Sequence, residues 1–391
     1  MDRLDNPVRP YAWGSAHDIP EFLGAAADGA PQAELWIGAH PGDSSRVVRD
    51  GASRSLREVI AADPGAELGP AVAARYGGRL PFLLKVLSAA RPLSLQVHPD
   101  RERAAARFAD PRYADDYVDD NHKPELISAL RDGFEALCGF RPVPGTLALL
   151  DELAVPLLAS YRERLERQPG ADGLRAVVTG ILTGADAGVL AETIAAVGRA
   201  GQRVADGGGE WAADGGACAR LAAAYPRDPG VLVALLLNRA VLAQGEALFV
   251  AAGVPHCYLR GFGAEAMAAS DNVLRAGLTG KRVNVPELLE VLDFTPAPLH
   301  VLHAEPDGSQ ETYPVPVPDF RLGRLVLGAD PVRLPGGGPQ ILLCIAGKAR
   351  LRAPGGTGLD LDRGASAYLA ASCAGVTAAG PGTLLRATVG G

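Results

Sequence analysis

Gly245-Glu246-Ala247-Leu248-Phe249-Val250-Ala251-Ala252-Gly253-Val254-Pro255-His256 reads as a strand, a tight glycine turn and a histidine that opens the next strand. Strand signals precede it at Val241 to Leu242, and the Gln244-Gly245 turn separates the two runs. This β region continues to about Phe294. A turn of this kind can aim an imidazole at a fixed point, so the stretch bears on chemistry as well as on fold.

Upstream the pattern is helical. Leu150, Leu153, Leu157, Tyr161 and Leu165 recur at helical spacing, as do Leu174, Val178 and Ile181, and then Leu190, Ile194 and Val197. The glycine-rich stretch from Gly207 to Gly216 interrupts this block, and Asp228-Pro229 predicts a last helix running through Leu237. Before Arg141 the chain mixes short β-like runs with Gly and Pro; Leu80 to Leu87 and Leu93 to Val97 read as strands. After the connector Tyr313-Pro314-Val315-Pro316-Val317-Pro318 come strand runs at Leu322 to Leu327, Gln340 to Ile345 and Ala349 to Arg352. The expected fold is therefore mainly β with a helical insertion. Its expected units are a discontinuous β domain of residues 1–142 and 239–300, a helical domain of 143–238, and a second β domain of 301–391. No histidine follows His303, so the last unit is expected to pack or oligomerise rather than to hold an imidazole-bound metal.

Composition narrows the function. The 391 residues are 48% apolar and 21% charged, the balance of a globular protein with a large core. A net charge of -7 argues against a nucleic-acid or anionic-membrane partner, since both need a dominant basic surface. Neither a targeting segment nor a membrane-spanning apolar run is evident, so the expected location is cytoplasmic. Five scattered cysteines without a CxxC pair indicate reduced thiols. Of 38 basic residues only Lys85, Lys123, Lys281 and Lys348 are lysine, and three of these lie beside the polar clusters below.

Those clusters are four. In Leu93-Ser94-Leu95-Gln96-Val97-His98, alternation puts Leu93, Leu95 and Val97 on one face and Ser94, Gln96 and His98 on the other. The pattern suits a solvated outer strand as well as a strand deep in the domain. In Asn121-His122-Lys123-Pro124-Glu125, the proline biases Lys123 towards extended geometry, so Lys123 and Glu125 can share a face; a charged turn explains the segment equally. The third is the opening stretch, whose spacing resembles the second cupin motif, with Ala251 where proline is usual. The fourth, Ala264 through Lys281, carries Glu265, Asp271, Arg275 and Lys281; either carboxylate would neutralise Arg275 in a solvated loop. Two imidazoles, a carboxylate and the Gln96 amide oxygen make a mixed N/O set suited to zinc with one open position. A single carboxylate leaves such a centre net positive and suited to an anionic intermediate.

Together these segments resemble type I mannose-6-phosphate isomerases, a cupin family with a helical insertion. The resemblance rests on Tyr11-Ala12-Trp13-Gly14-Ser15, Glu34 through Pro41, Gln96-Val97-His98-Pro99, His122-Lys123-Pro124-Glu125, Phe134 through Pro142, and Gly253 through Lys281. It implies two cupin-like (jelly-roll) β domains and one zinc ion per chain, held by Gln96, His98, Glu125 and His256. It also implies Arg275 as catalytic arginine, with Lys123 and Glu265 in the sugar site, Ser94 and Lys281 on the substrate phosphate, and Trp13 and Asp271 as further substrate contacts. The implied partner is a small sugar phosphate and the implied state a monomer or weak homo-oligomer. The implied reaction interconverts an aldose and a ketose phosphate through an enediolate, with Glu265, His122, Lys123 or a zinc-bound water as proton carrier. A silent sugar-phosphate sensor and a cupin enzyme acting on another sugar are the rival readings. Gly280 and Asn284 depart from the family pattern, where proline and aspartate are common, and the C-terminal region diverges.

Overall fold

A computed structural model describes residues 1–184 and 186–390 of the chain. Its frame is a pair of ten-stranded antiparallel sheets, with six α-helices among the described residues between the strands Phe134–Phe140 and Leu237–Leu242. The chain is mainly β with a helical insertion, as expected.

One strand organises the first sheet. His256–Ala268 pairs at its start with Leu95–Val97 and Phe134–Phe140, and further on with Phe82–Ala89 and Glu125–Ala129. It changes partners near Gly261, whose φ of 135° suits glycine alone; a Cβ there would meet the Phe134 Cα at 2.7 Å. The strand therefore belongs to both walls of a barrel. The Gln244-Gly245 turn likewise joins walls rather than making a hairpin, because Leu237–Leu242 pairs with Phe134–Phe140 while Ala247–Val250 pairs with Glu125–Ala129.

The helices pack on the outside of this barrel. Leu174, Val178 and Ile181 from Ala171–Thr183, and Ile194 and Val197 from Ala187–Gly207, share a core with Leu95 and Val97. That contact resolves the alternatives left open at Leu93 to His98: the strand is deep, with helices over one face. Leu93 itself packs on the other side, with Trp13 and Tyr258. The helix begun at Asp228-Pro229 is shorter than expected, spanning Gly230–Ala234, and Leu237 already starts a strand. Val231 through Leu237 are all buried, so the run shows no period by which helix and strand could be told apart.

In the second sheet the expected runs Gln340 to Ile345 and Ala349 to Arg352 form one strand, Gln340–Arg352, with an irregularity between Cys344 and Ala346. The chain's first strand, Asp2–Leu4, pairs with Ser366–Leu369 in this sheet rather than with its sequence neighbours. Leu35 and Leu84 of one sheet pack with Ile341, Leu343, Tyr368 and Leu385 of the other in a single cluster. Each such side chain contributes roughly 1.5–3 kcal/mol when fully buried, so the two β bodies stabilise one another. Among the described residues no single helix is long and apolar enough to cross a membrane.

Candidate active site and metal centre

Three buried side chains converge at the open end of the first barrel. His98 follows the Leu95–Val97 strand, while Glu125 and His256 open theirs. His98 Nε2 lies 3.4 Å from Glu125 Oε1, and His256 Nε2 lies 3.2 Å from Glu125 Oε2. Neither nitrogen, nor Oε2, makes a hydrogen bond among the described residues, although all three are sealed from solvent. Orphaned buried polar atoms are costly, and three aimed at one point are the signature of a cation site.

The opposite ring nitrogens explain the aim. His98 Nδ1 donates to the Asn272 carbonyl at 2.7 Å, and His256 Nδ1 donates to the Val254 carbonyl at 3.1 Å. A carbonyl only accepts, so each Nδ1 carries the hydrogen and each Nε2 presents a lone pair. Burial pushes the His98 pKa down to about 4, which keeps that ring neutral and ligand-ready. Burial opposes charge on Glu125, but Lys123, with its Nζ 3.1 Å from Oε1, holds that carboxyl well below its usual range. The ligand atoms of this trio all lie within 4.8 Å of one another. Gln96 stands directly opposite His256 on one side and Arg275 on the other. Residues in such direct register share a face, so the amide borders the trio.

A cleft of about 540 Å³ opens in front, lined by Trp13, Ser94, Gln96, Lys123, Glu125, Glu265, Asp271, Arg275 and Lys281. His98 and His256 lie behind this lining, fully buried. The structure thus brings together the candidate metal ligands and substrate contacts, with His122 left outside the cleft. It changes some pairings. Asp271 contacts His40 Nε2 at 3.2 Å and Glu265 contacts Lys85 Nζ at 3.2 Å, so neither neutralises Arg275, which has no ion pair among the described residues. Strand direction is the reason: Glu265 sits directly across from Lys85 in the sheet. His122 leaves the set of proton carriers, because its Nε2 faces Asp319 Oδ2 at 2.9 Å and it does not line the cleft.

The sequence reading assigned no role to Lys85 and Glu34. Lys85 Nζ also lies 3.8 Å from Glu34 Oε2, which accepts a 2.6 Å hydrogen bond from Trp36 Nε1. Burial lowers the Lys85 pKa, yet Glu34, Glu265 and Glu125 outweigh it and raise the net value. The available signal was a lysine in the middle of the apolar run Phe82–Ala89, all of it buried. Glu34, Glu125 and Glu265 thus face Lys85 and Lys123 in one buried charged cluster.

A jelly-roll barrel opening on an orphaned His–Glu–His trio defines a metal-binding enzyme of the cupin class. The comparisons specify which. The family model described as phosphomannose isomerase type I, catalytic domain, matches residues 1–143. Mannose-6-phosphate isomerase of Escherichia coli K12 is 38% identical over 402 residues, 99% of each chain. The Homo sapiens protein of that name is 35% identical over 345 residues, 82% of this chain and 80% of that protein. The crystal structure of a mannose 6-phosphate isomerase bound with zinc and yttrium superposes with a TM-score of 0.90 at 36% identity, covering 100% of this chain and 99% of that one. The chain belongs to the type I phosphomannose isomerase family.

Proposed function

We propose that this enzyme interconverts mannose 6-phosphate and fructose 6-phosphate, with one zinc ion held by Gln96, His98, Glu125 and His256. The observation that carries the reading is the trio of orphaned ligand atoms at the back of a cleft that Arg275 lines with no ion pair among the described residues. Family membership supplies the substrate. Bound there, zinc supplies Lewis-acid polarisation of a sugar oxygen.

The remaining work falls to side chains. Arg275 faces the negative charge that develops when a proton leaves the carbon beside the carbonyl; removing one such donor typically costs about 10²–10³ in rate. Burial lowers its pKa, but a guanidinium stays protonated at neutral pH. Lys281 and Ser94 take the phosphate, and Trp13, Lys123 and Asp271 line the sugar. Glu265 is the group we assign to proton transfer: burial, then the charge of Glu125, raises its pKa, and Tyr258 donates a 2.9 Å hydrogen bond to Oε1. Catalysis is assigned to residues 1–142 with 239–300, and Tyr225 of the helical unit 143–238 closes the rim. Residues 301–391 form the second β domain. On this reading the protein works in the cytoplasm as a monomer or weak homo-oligomer.

Turnover of mannose 6-phosphate by purified protein tests the reading. Chelation should abolish it and zinc should restore it, with His256→Ala losing metal and activity together. Tight binding of the sugar phosphate by metallated protein without turnover would favour the sensor instead.

A further inference from the structure

The second barrel has its own polar mouth. Gln340, Leu342 and Cys344 alternate along one strand, and Leu384 and Arg386 along the next; Leu342, Cys344 and Leu384 point into the barrel's apolar interior. By strand alternation Gln340 and Arg386 stand on that same face, at the end where the apolar lining stops. On the third strand Gly323 faces Arg386 directly, and Arg321 lies two residues further on. A Cβ at Gly323 would come within 2.9 Å of Gln310 Oε1, so glycine there leaves room for the polar group. Gln310, Arg321, Gln340 and Arg386 line, with a glycine-rich loop, a cavity of about 430 Å³.

Arg386 is only 7% exposed. Its Nε donates to Gln340 Oε1 at 2.8 Å and its Nη1 to Gln310 Oε1 at 3.2 Å, both neutral acceptors. No carboxylate among the described residues pairs with it, and Nη2 has no protein partner there. The nearest acid, Asp307, instead contacts Arg321 Nη1 at 3.5 Å. Among the described residues, two guanidiniums against one carboxylate leave the mouth positive. Burial, then the charge of Arg321, pushes the Arg386 pKa down to about 10, an unusual strain on a group that ordinarily titrates far higher. A buried cation held in place by amide oxygens, with one edge open to a cavity, is completed by an anion.

We propose that the mouth of the second barrel is a binding site for a small organic anion, whose carboxylate or phosphate head pairs with Arg386 and Arg321. The site is separate from the catalytic cleft and shares no lining residue with it. It gives residues 301–391 a ligand, where the sequence suggested only packing or oligomerisation.

Calorimetric titration of the zinc-loaded full chain with inorganic phosphate, and separately with citrate, tests this. The Lys281→Ala background weakens phosphate binding in the catalytic cleft and isolates the second site. Arg386→Gln should weaken that site about ten-fold or more, as expected for loss of a charge-assisted bidentate pair, while mannose 6-phosphate turnover stays unchanged. Binding of phosphate alone identifies a phosphate ester as the occupant, and of citrate alone a carboxylate. Should Arg386→Gln not fold, Arg321→Gln at the exposed rim is expected to weaken the same isotherm. Isotherms unaltered by these substitutions, or no binding of either probe outside the catalytic cleft, would overturn the proposal.

Discussion

Glu125 and Glu265 are both buried carboxylates in one cleft, and their surroundings send them in opposite directions. Lys123 keeps Glu125 ionised, the state a ligand needs, whereas burial and the charge of Glu125 raise Glu265 above the usual carboxyl value. Glu265→Gln keeps the size and the contact with Tyr258 but cannot carry a proton. Its kcat should fall by about 10²–10⁴, with zinc content and KM near those of the parent. Steady-state kinetics beside metal analysis decides this, and a variant with parental kcat removes Glu265 from proton transfer. At this scale the proposed ligands were readable because each lies in a short local motif: Gln96-Val97-His98, Lys123-Pro124-Glu125, and the turn before His256. The partner of Glu265 was not, because ion pairing follows strand register. The Lys85–Glu265 contact joins residues that no local pattern relates.

Elements carry the geometry that single residues cannot. The turn before His256 is locked on both sides: Gly253 N donates to the His98 carbonyl at 2.9 Å, and Asp293 N donates to the Gly253 carbonyl at 2.9 Å. One residue therefore ties His98 to the turn before His256. Gly253 has φ 80°, and a Cβ there would sit 3.2 Å from the Val291 carbonyl oxygen. Gly253→Ala should cost about 1–3 kcal/mol in backbone strain. Because the strain falls between two ligands, zinc affinity should drop about 10–100-fold, the usual effect of disturbing a ligand's support. Thermal melting and chelator competition read the two effects separately, and parental values in both would show that the turn does not position the ligands. This strand–turn–histidine unit was legible because it is local. The walls it joins were not: Ala247–Val250 and His256–Ala268 take partners from Glu125–Ala129 and Leu95–Val97, far away in sequence. The capping of Val285–Val291 shows why one departure from the family pattern is mild. The Asn284 side chain accepts from Glu287 N at 3.3 Å, as an aspartate would.

At the scale of the molecule, the two β bodies are joined by more than their shared apolar cluster. Asp319 follows the proline-rich connector and is fully buried between them, with Oδ1 2.8 Å from Arg101 Nη2 and Oδ2 2.9 Å from His122 Nε2. Composition gave no hint of this contact, because Asp319 is one acid among many until the fold sets it against two basic groups of the first body. Burial works against the charged form, but His122 and then Arg101 outweigh it and hold the Asp319 pKa below its usual value. The folded protein thus binds this proton less tightly than the unfolded chain does. The stabilisation is fully present above the unfolded aspartate value of about 4 and is lost as pH falls through the lower folded value. Asp319→Asn removes both the charge and its titration. At neutral pH the variant should be less stable by about 2 kcal/mol, the scale of a hydrogen bond to a charged group. Its stability should also fall less steeply than the parent's below about pH 4, so that the two curves converge in acid. Denaturant titrations of both proteins from neutral to acid pH measure the difference. Curves that stay parallel would mean that the clamp does not hold the two bodies together through its charge.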